Sequence, residues 1–275
     1  MNLTCVVDSK TTRPYLKGEH GLAIWIESAD GVVLYDTGQT ADVLCNNLKR
    51  LNLPLDQLTA VVLSHAHYDH TGGLPALLQE RPGLPVYAHP DLFRPRYSHL
   101  LMKHRFIGLG LVREELMRQA DVHLSNEPVE ILPGLWTTGE ITTRDEALGT
   151  SSRLCIKGDD GSWQPDPHRD DLSLVWRGKE GLTLICGCCH AGILNTLDHV
   201  QRVFNDRIVN IFGGIHLKDA NNEERTRVVN VLREKYTDIR LYLNHCTGDA
   251  VIQELAGAFQ GCVMRFPVGM AKIVE

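Results

Sequence analysis

The sequence predicts an α/β fold of paired sheets covered by helices on both outer faces, built as a single domain over residues 1–275. Three observations predict it. The chain falls into two halves, each a run of strand-like segments with helical segments after them. No Pro/Ser-rich linker separates the halves. With 43% hydrophobic and 23% charged residues over 275 positions, the chain can bury a substantial core.

In the first half, Leu22–Ile26 and Val32–Tyr35 are short β-branched or aromatic runs joined at Asp30-Gly31, a strong hairpin signal. Asp36-Thr37-Gly38 ends the second strand. Val43, Leu44, Asn47, Leu48 and Leu51 then recur at helical spacing and stop before Pro54. The apolar run Ala60–Ser64 reads as a strand, a helix begins near Thr71, and Val86–Ala88 is a further short strand.

The segment at about 90–168 is less regular, and its reading as a lid or pocket wall stands beside ordinary surface covering. Within it, Tyr97 to Phe106 is basic and aromatic, and Arg94, Arg96, Lys103, His104 and Arg105 read as the face of a solvated basic helix. Val112–Ala120 has helical periodicity, and Gly158–Pro167 is a Gly/Asp/Pro-rich loop.

Order returns with Leu172–Trp176 and Leu182–Cys186, a hairpin around Lys179-Glu180-Gly181. A helix over Ile193–Phe204, a strand over Ile208–Phe212, a helix over Glu223–Lys235 and a strand over Ile239–Leu243 follow. A final helix and one or two strands close the chain.

The net charge of −6 argues against a nucleic-acid partner, which usually calls for a basic face. No apolar run has the length to span a bilayer, and Met1–Cys5 does not resemble a signal peptide. Eight cysteines are too sparse for a disulfide scaffold. Cys186, Cys188 and Cys189 crowd together as reduced thiols do, so a cytoplasmic location is expected. The same cluster reads either as small buried apolar side chains or as a metal or redox site.

The chemistry concentrates at residues 65–70, His-Ala-His-Tyr-Asp-His, between the apolar strand and Thr71-Gly72-Gly73. Histidine is the commonest protein metal ligand, and alternate residues leaving a strand end can converge on one point. The competing reading is a solvated histidine-rich loop. Three more histidines follow strand-like runs beside small residues: His190 before Ala191-Gly192, His216 after Gly213-Gly214-Ile215, and His245 before Cys246-Thr247-Gly248. Repetition of that context favours a shared site over three unrelated core histidines. His20, His99, His104, His123 and His199 have no such context and read as surface or packing residues.

The order Asp36-Thr37-Gly38, Ser64-His65-Ala66-His67-Tyr68-Asp69-His70-Thr71-Gly72-Gly73 and later strand-end histidines resembles the metallo-β-lactamase superfamily. Gly187-Cys188-Cys189-His190-Ala191-Gly192, Gly213-Gly214-Ile215-His216-Leu217 and His245-Cys246-Thr247-Gly248 resemble a narrower group within it. That group is named for 7,8-dihydropterin-6-yl-methyl-4-(β-D-ribofuranosyl)aminobenzene 5′-phosphate synthase.

The resemblance spans about residues 20–250. It implies a four-layer αβ/βα sandwich with a divalent-metal site of one or two ions at one edge. His65, His67 and His190 would hold the first ion, and Asp69, His70 and His245 the second.

Two positions depart from the superfamily pattern. Asp170-Asp171-Leu172-Ser173 replaces a Gly-His-Thr segment, and Gly187-Cys188 stands where a bridging aspartate is usual. Asp171 and Cys188 are therefore candidates for an additional ligand, each with a structural alternative. Asp36 is expected to orient a ligand histidine through its other ring nitrogen, or else to form a turn. His216 is expected either to contact substrate or to serve structure. Imidazole and carboxylate ligands suit zinc foremost, with manganese or iron as alternatives.

The expected function is a metal-dependent hydrolase acting through a metal-bound hydroxide on a small anionic substrate, a phosphoester or diphosphate, with Asp69 and His216 in catalytic positions. Arg94, Arg96, Lys103, His104 and Arg105 are candidates for positive charge near that substrate. The subgroup resemblance implies an alternative, a transfer in which a pterin-methyl diphosphate loses diphosphate to an aryl carbon. A di-iron redox or sensor protein is a further alternative, although Ala66 stands where di-iron relatives carry Glu. A nuclease or a binding-only module fits less well, because no basic binding arm is evident and the ligand string is intact.

Overall fold

The computed structural model describes residues 1–275. Two seven-stranded sheets stack face to face. In the first, the strand order is Ala271–Ile273, Asn2–Val7, Ala23–Ser28, Gly31–Tyr35, Leu58–Val62, Pro85–Ala88 and Asp121–Leu124. The second runs Val263–Arg265, Arg240–Leu243, Ile208–Gly213, Leu182–Cys186, Leu174–Arg177, Leu135–Thr137 and Glu130–Leu132.

Three apolar clusters account for four layers. Leu3, Ile24, Val33 and Tyr35 of one sheet meet Leu174, Ile185, Phe212 and Tyr242 of the other in the middle. The outer face of the first sheet is covered by helices Ala41–Arg50, Leu74–Glu80 and Arg113–Gln119 through Leu44, Leu48, Leu77 and Leu116. Helices Ile193–Phe204, Asn222–Lys235 and Asp249–Ala258 cover the second through Leu197, Val200, Leu232 and Leu255. Most of these helices bury one stripe, as their apolar spacing requires, whereas Ile193–Phe204 is buried on all sides over its first five residues. Starts are set by local chemistry: Thr40 caps Ala41–Arg50, and Asn221 with Glu224 forms a reciprocal capping box on Asn222–Lys235. No helix is long and apolar enough to cross a membrane.

Parallel pairing positions the site. Gly31–Tyr35 pairs in parallel with Leu58–Val62, with Tyr35 opposite Val62, so Asp36 and Ser64 emerge side by side. Leu182–Cys186, Ile208–Gly213 and Arg240–Leu243 are likewise parallel, with Cys186 opposite Gly213 and Gly213 opposite Leu243. Their following loops therefore leave from one edge, where sites in parallel sheets are built.

The segment 90–168 divides. Asp121–Leu124, Glu130–Leu132 and Leu135–Thr137 extend the two main sheets, whereas Arg96–Leu100, Lys103–Phe106, Leu154–Lys157 and Trp163–Pro165 form a small separate sheet. The basic stretch expected as a helix face is thus a β-hairpin, and the loop expected at Gly158–Pro167 contains an edge strand. Alternation of Tyr97 and His99 against His104 and Phe106 produces this pairing: Tyr97 lies edge-on to Phe106, and His99 stacks on His104 with centroids 4.6 Å apart.

Candidate metal centre

His65, His67 and His190 converge from two sheets. His65 Nε2 lies 2.9 Å from His67 Nδ1. The His190 ring centroid is 4.8 Å from that of His65 and 5.0 Å from that of His67. Each of the three offers one ring nitrogen within a span of 4.8 Å. His65 is oriented by the Ser64 hydroxyl at Nδ1 (2.8 Å), and His190 Nδ1 faces the Gly149 carbonyl (3.0 Å). These contacts leave the remaining nitrogens for a ligand.

Beside this trio, His70 Nε2 lies 3.1 Å from His245 Nε2 and 3.6 Å from an Asp69 oxygen, and His245 Nε2 is 3.5 Å from the same oxygen. On its other side, His70 Nδ1 is 2.6 Å from Asp36 Oδ2. Asp36 also accepts from the backbone N–H and the hydroxyl of Ser64, both at 2.7 Å. One carboxylate thereby fixes the start of the His65–His70 string and the ring of its last member. Gly187 packs directly on this arrangement, since a Cβ there would lie 2.3 Å from the Ser64 hydroxyl oxygen and 3.2 Å from Asp36 Oδ2. Only glycine permits so close an approach.

Burial controls protonation. His65, His67, His190 and His245 are held well below the ordinary histidine pKa, first by loss of hydration and then by neighbouring imidazoles. His70 is the exception. Burial pushes it down, but the charges of Asp36 and Asp69 outweigh burial and raise its pKa.

Whether such residues fit a cation is tested by their unmet polar atoms. His67 Nε2 and His190 Nε2 are buried with no hydrogen-bond partner, which is costly unless something binds there. Neutral imidazoles with free nitrogens, grouped with a carboxylate, are the donor set a divalent cation takes. The residues fit.

The remaining candidates separate. Cys188 lies within the cluster, its Sγ 3.3 Å from His70 Nε2, and its donor groups with those of His65 and His70 within 4.8 Å. Burial, then the neighbouring Cys246, pushes its thiol pKa up. Asp171 shares none of these donor groups. Its Oδ2 accepts from the Ala191 backbone N–H (2.9 Å), next to His190, and burial pushes its pKa up to about 6. His216 borders the cleft, its ring 4.7 Å from that of His190. Asp36, His168, Cys189, His216 and His245 all have left-handed backbone conformations, with φ between 43° and 60°. Such strain is held only where surrounding structure over-determines it.

Two residues at the site escape sequence reasoning. His20, expected at the surface, places Nε2 3.2 Å from Asp69 Oδ2. His168 stacks flat on His190, with centroids 4.1 Å apart and planes at 10°. Neither sits in a strand-end pattern like those of His190 and His245; the only local cue at His168 is the adjoining Asp170-Asp171 pair. Arg96, a candidate for contacting substrate, is instead fully buried and paired with Asp166 (3.1 Å), Asp91 (3.2 Å) and Asp170. Lys103 and Arg105, on the facing strand of the hairpin, do border the cleft.

Comparison with known proteins agrees with this geometry. The metallo-β-lactamase superfamily model matches residues 16–150, which include the whole His65–His70 string. A 7,8-dihydropterin-6-methyl-4-(β-D-ribofuranosyl)-aminobenzene-5′-phosphate synthase of Methanocaldococcus jannaschii is 29% identical over 84% of this chain and 81% of its own. An uncharacterized protein of the same organism is 29% identical over 91% of this chain and 92% of its own. The crystal structure of a metal-dependent hydrolase of the β-lactamase superfamily superposes with a TM-score of 0.85 at 27% identity, covering 100% of this chain and 99% of that one. The His65–His70 string, the paired sheets and the later strand-end histidines together give the chain the metallo-β-lactamase fold, and over about half its length it matches the superfamily's model.

Proposed function

We propose that this protein is a metal-dependent hydrolase of a small anionic phosphoester or diphosphate. The observation that carries the reading is one cleft of about 430 Å³ that is bordered both by the ligand-type residues His67, Asp69, His190 and His245 and by the cations Lys103 and Arg105. His65, His67 and His190 would hold one ion, and Asp69, His70 and His245 a second, with zinc the best match and manganese or iron as alternatives. Divalent cations bound there would supply Lewis-acid polarisation of a phosphoryl oxygen and a water that ionises near neutral pH.

The chain's own contribution is placement. Burial keeps four histidines in the neutral form that binds a cation. Asp36 fixes the His70 ring at 2.6 Å. Lys103 and Arg105 offer positive charge to substrate anion from the small sheet, and His216 borders the same space.

A second reading is supported by the 29% identity to the pterin-pathway synthase over most of both chains. In it, the same cleft would hold a pterin-methyl diphosphate, and Lys103 and Arg105 would face the departing diphosphate. The test is turnover of bis(p-nitrophenyl) phosphate by zinc- or manganese-loaded protein, beside diphosphate release from a dihydropterin-methyl diphosphate supplied with 4-(β-D-ribofuranosyl)aminobenzene 5′-phosphate as acceptor. Ester cleavage that stops on chelation supports hydrolysis, whereas acceptor-dependent diphosphate release alone supports transfer. Asp69→Ala should lower ester turnover by at least about a hundredfold. Unchanged activity and metal content in that variant would sink the two-metal hydrolytic reading.

A further inference from the structure

We propose that His20 is a direct ligand of the second cation, completing a His20–Asp69–His70–His245 donor set. The proposal rests on the two-ion form of the site described above. Without a carboxylate at Gly187-Cys188, the oxygen and nitrogen donors already named at that position are Asp69, His70 and His245, which leaves room for a further ligand. His20 stands where such a ligand belongs. Its Nε2 is 3.2 Å from Asp69 Oδ2, and its ring centroid is 5.1 Å from that of His245. One donor atom from each of His20, Asp69 and His245 lies within 4.8 Å of the other two.

Exposure would ordinarily argue against this role, since 62% of the His20 side chain is accessible. Its neighbours nevertheless fix the backbone on both sides. The Glu19 carboxylate accepts from the N–H groups of Gln39 (3.0 Å) and Thr40 (2.9 Å) and from the Thr40 hydroxyl (2.7 Å). Beyond it, Leu22 N–H donates to the Asp69 carbonyl at 3.2 Å, and Gly38 N–H donates to the Leu22 carbonyl at 2.9 Å. Gly21 lies so close that a Cβ would come within 2.4 Å of the Asp69 carbonyl oxygen. The Glu19-Gly21-Leu22 clamp therefore ties His20 to the same residue that would share its ion. An exposed side chain on a fixed backbone at the cleft mouth can close on an ion entering from solvent. Cys188 differs: it is buried and approaches His70 at 3.3 Å.

The test is titration of metal-free protein with cobalt(II), following the visible ligand-field bands and calorimetric stoichiometry for wild type, His20→Ala and His20→Gln. The Gln variant keeps an N–H donor for Asp69 but is a poor metal ligand, so it separates ligation from mere orientation of the carboxylate. Expected is a normal first equivalent in all three proteins, which also reports an intact fold. The second equivalent should bind at least about tenfold more weakly in both variants, with altered bands, because even outer-sphere partners change metal affinity by about 10–100-fold. A wild-type second equivalent in His20→Gln, or a wild-type protein that takes only one ion, overturns the proposal. Neither result depends on turnover, so a failure here is distinguishable from failure of the hydrolytic reading.

Discussion

Arg96 shows how a residue's partners decide its role. In sequence it is one of several basic residues in a polar stretch, and a solvent or substrate contact is the natural expectation. In the fold it is fully buried against Asp166, Asp170 and Asp91, the farthest of them 74 positions away. Burial raises the pKa of Asp166 and Asp170, and the guanidinium opposes that rise. Asp170 in turn accepts from the backbone N–H of Ala66 at 2.8 Å, between His65 and His67. The His65–His70 string was legible because its members are adjacent; this support was not, because it comes from residues distant in sequence. Arg96→Leu strands two buried carboxylates and should destabilise by about 3–5 kcal/mol. Urea denaturation measures this, and a loss under about 1 kcal/mol would show that the cluster does not depend on the guanidinium.

At the scale of elements, most strands and helices were readable from period and turn chemistry. The helix expected over Ile193–Phe204 has those bounds, because Gly192 and the left-handed Asn205 stop it on either side. The hairpin Arg96–Leu100/Lys103–Phe106 was not readable, and its turn explains why. Leu100 pairs with Lys103, so Leu101 and Met102 form a two-residue loop with φ of 48° and 64°. Both positions require the left-handed region, where Asn-Gly is the usual signal and Leu-Met gives none. These side chains are also 86% and 92% exposed, so packing does not offset the strain. Replacing both, as Leu101→Asn with Met102→Gly, should stabilise the protein by about 1–2 kcal/mol. Thermal unfolding should shift upward by a few degrees; an unchanged or lower midpoint would mean the loop is held by something other than its own conformation.

For the whole molecule, the site is a seam: His65–His70 leaves one sheet, while Cys188, His190, His216 and His245 leave the other. The shared strand-end context made this seam legible, since parallel strands of one sheet deliver their loops to one edge. The final helix and closing strands were legible, but the N-terminal strand was not. Asn2–Val7 acquires its strand character by pairing with Ala271–Ile273 and Ala23–Ser28, a long-range closure that no local pattern announces. Uniting two layers through buried imidazoles makes stability depend on pH and metal together. His65, His67, His168, His190 and His245 all have folded-state pKa values lowered by burial, while His70 alone among the ligand-type histidines is raised. Below the unfolded histidine pKa of about 6.5, the unfolded chain takes up protons at the first five that the folded chain refuses. Stability from these groups is thus complete above about pH 6.5 and drains away as pH falls toward their depressed folded values. Asp171, raised to about 6, works in the opposite direction with His70, Asp8, Asp166 and Asp170, but His89, His199 and His216 are lowered too, so the lowered histidines outnumber them. Metal-free protein should therefore lose thermal stability steadily from about pH 7.5 to about pH 5. Added zinc should raise the midpoint in a concentration-dependent way at the upper end of that range and far less at the lower end, where protons compete for the same nitrogens. Differential scanning calorimetry with and without chelator measures both effects, and a midpoint that rises on acidification, or ignores zinc at neutral pH, would contradict the neutral-imidazole seam.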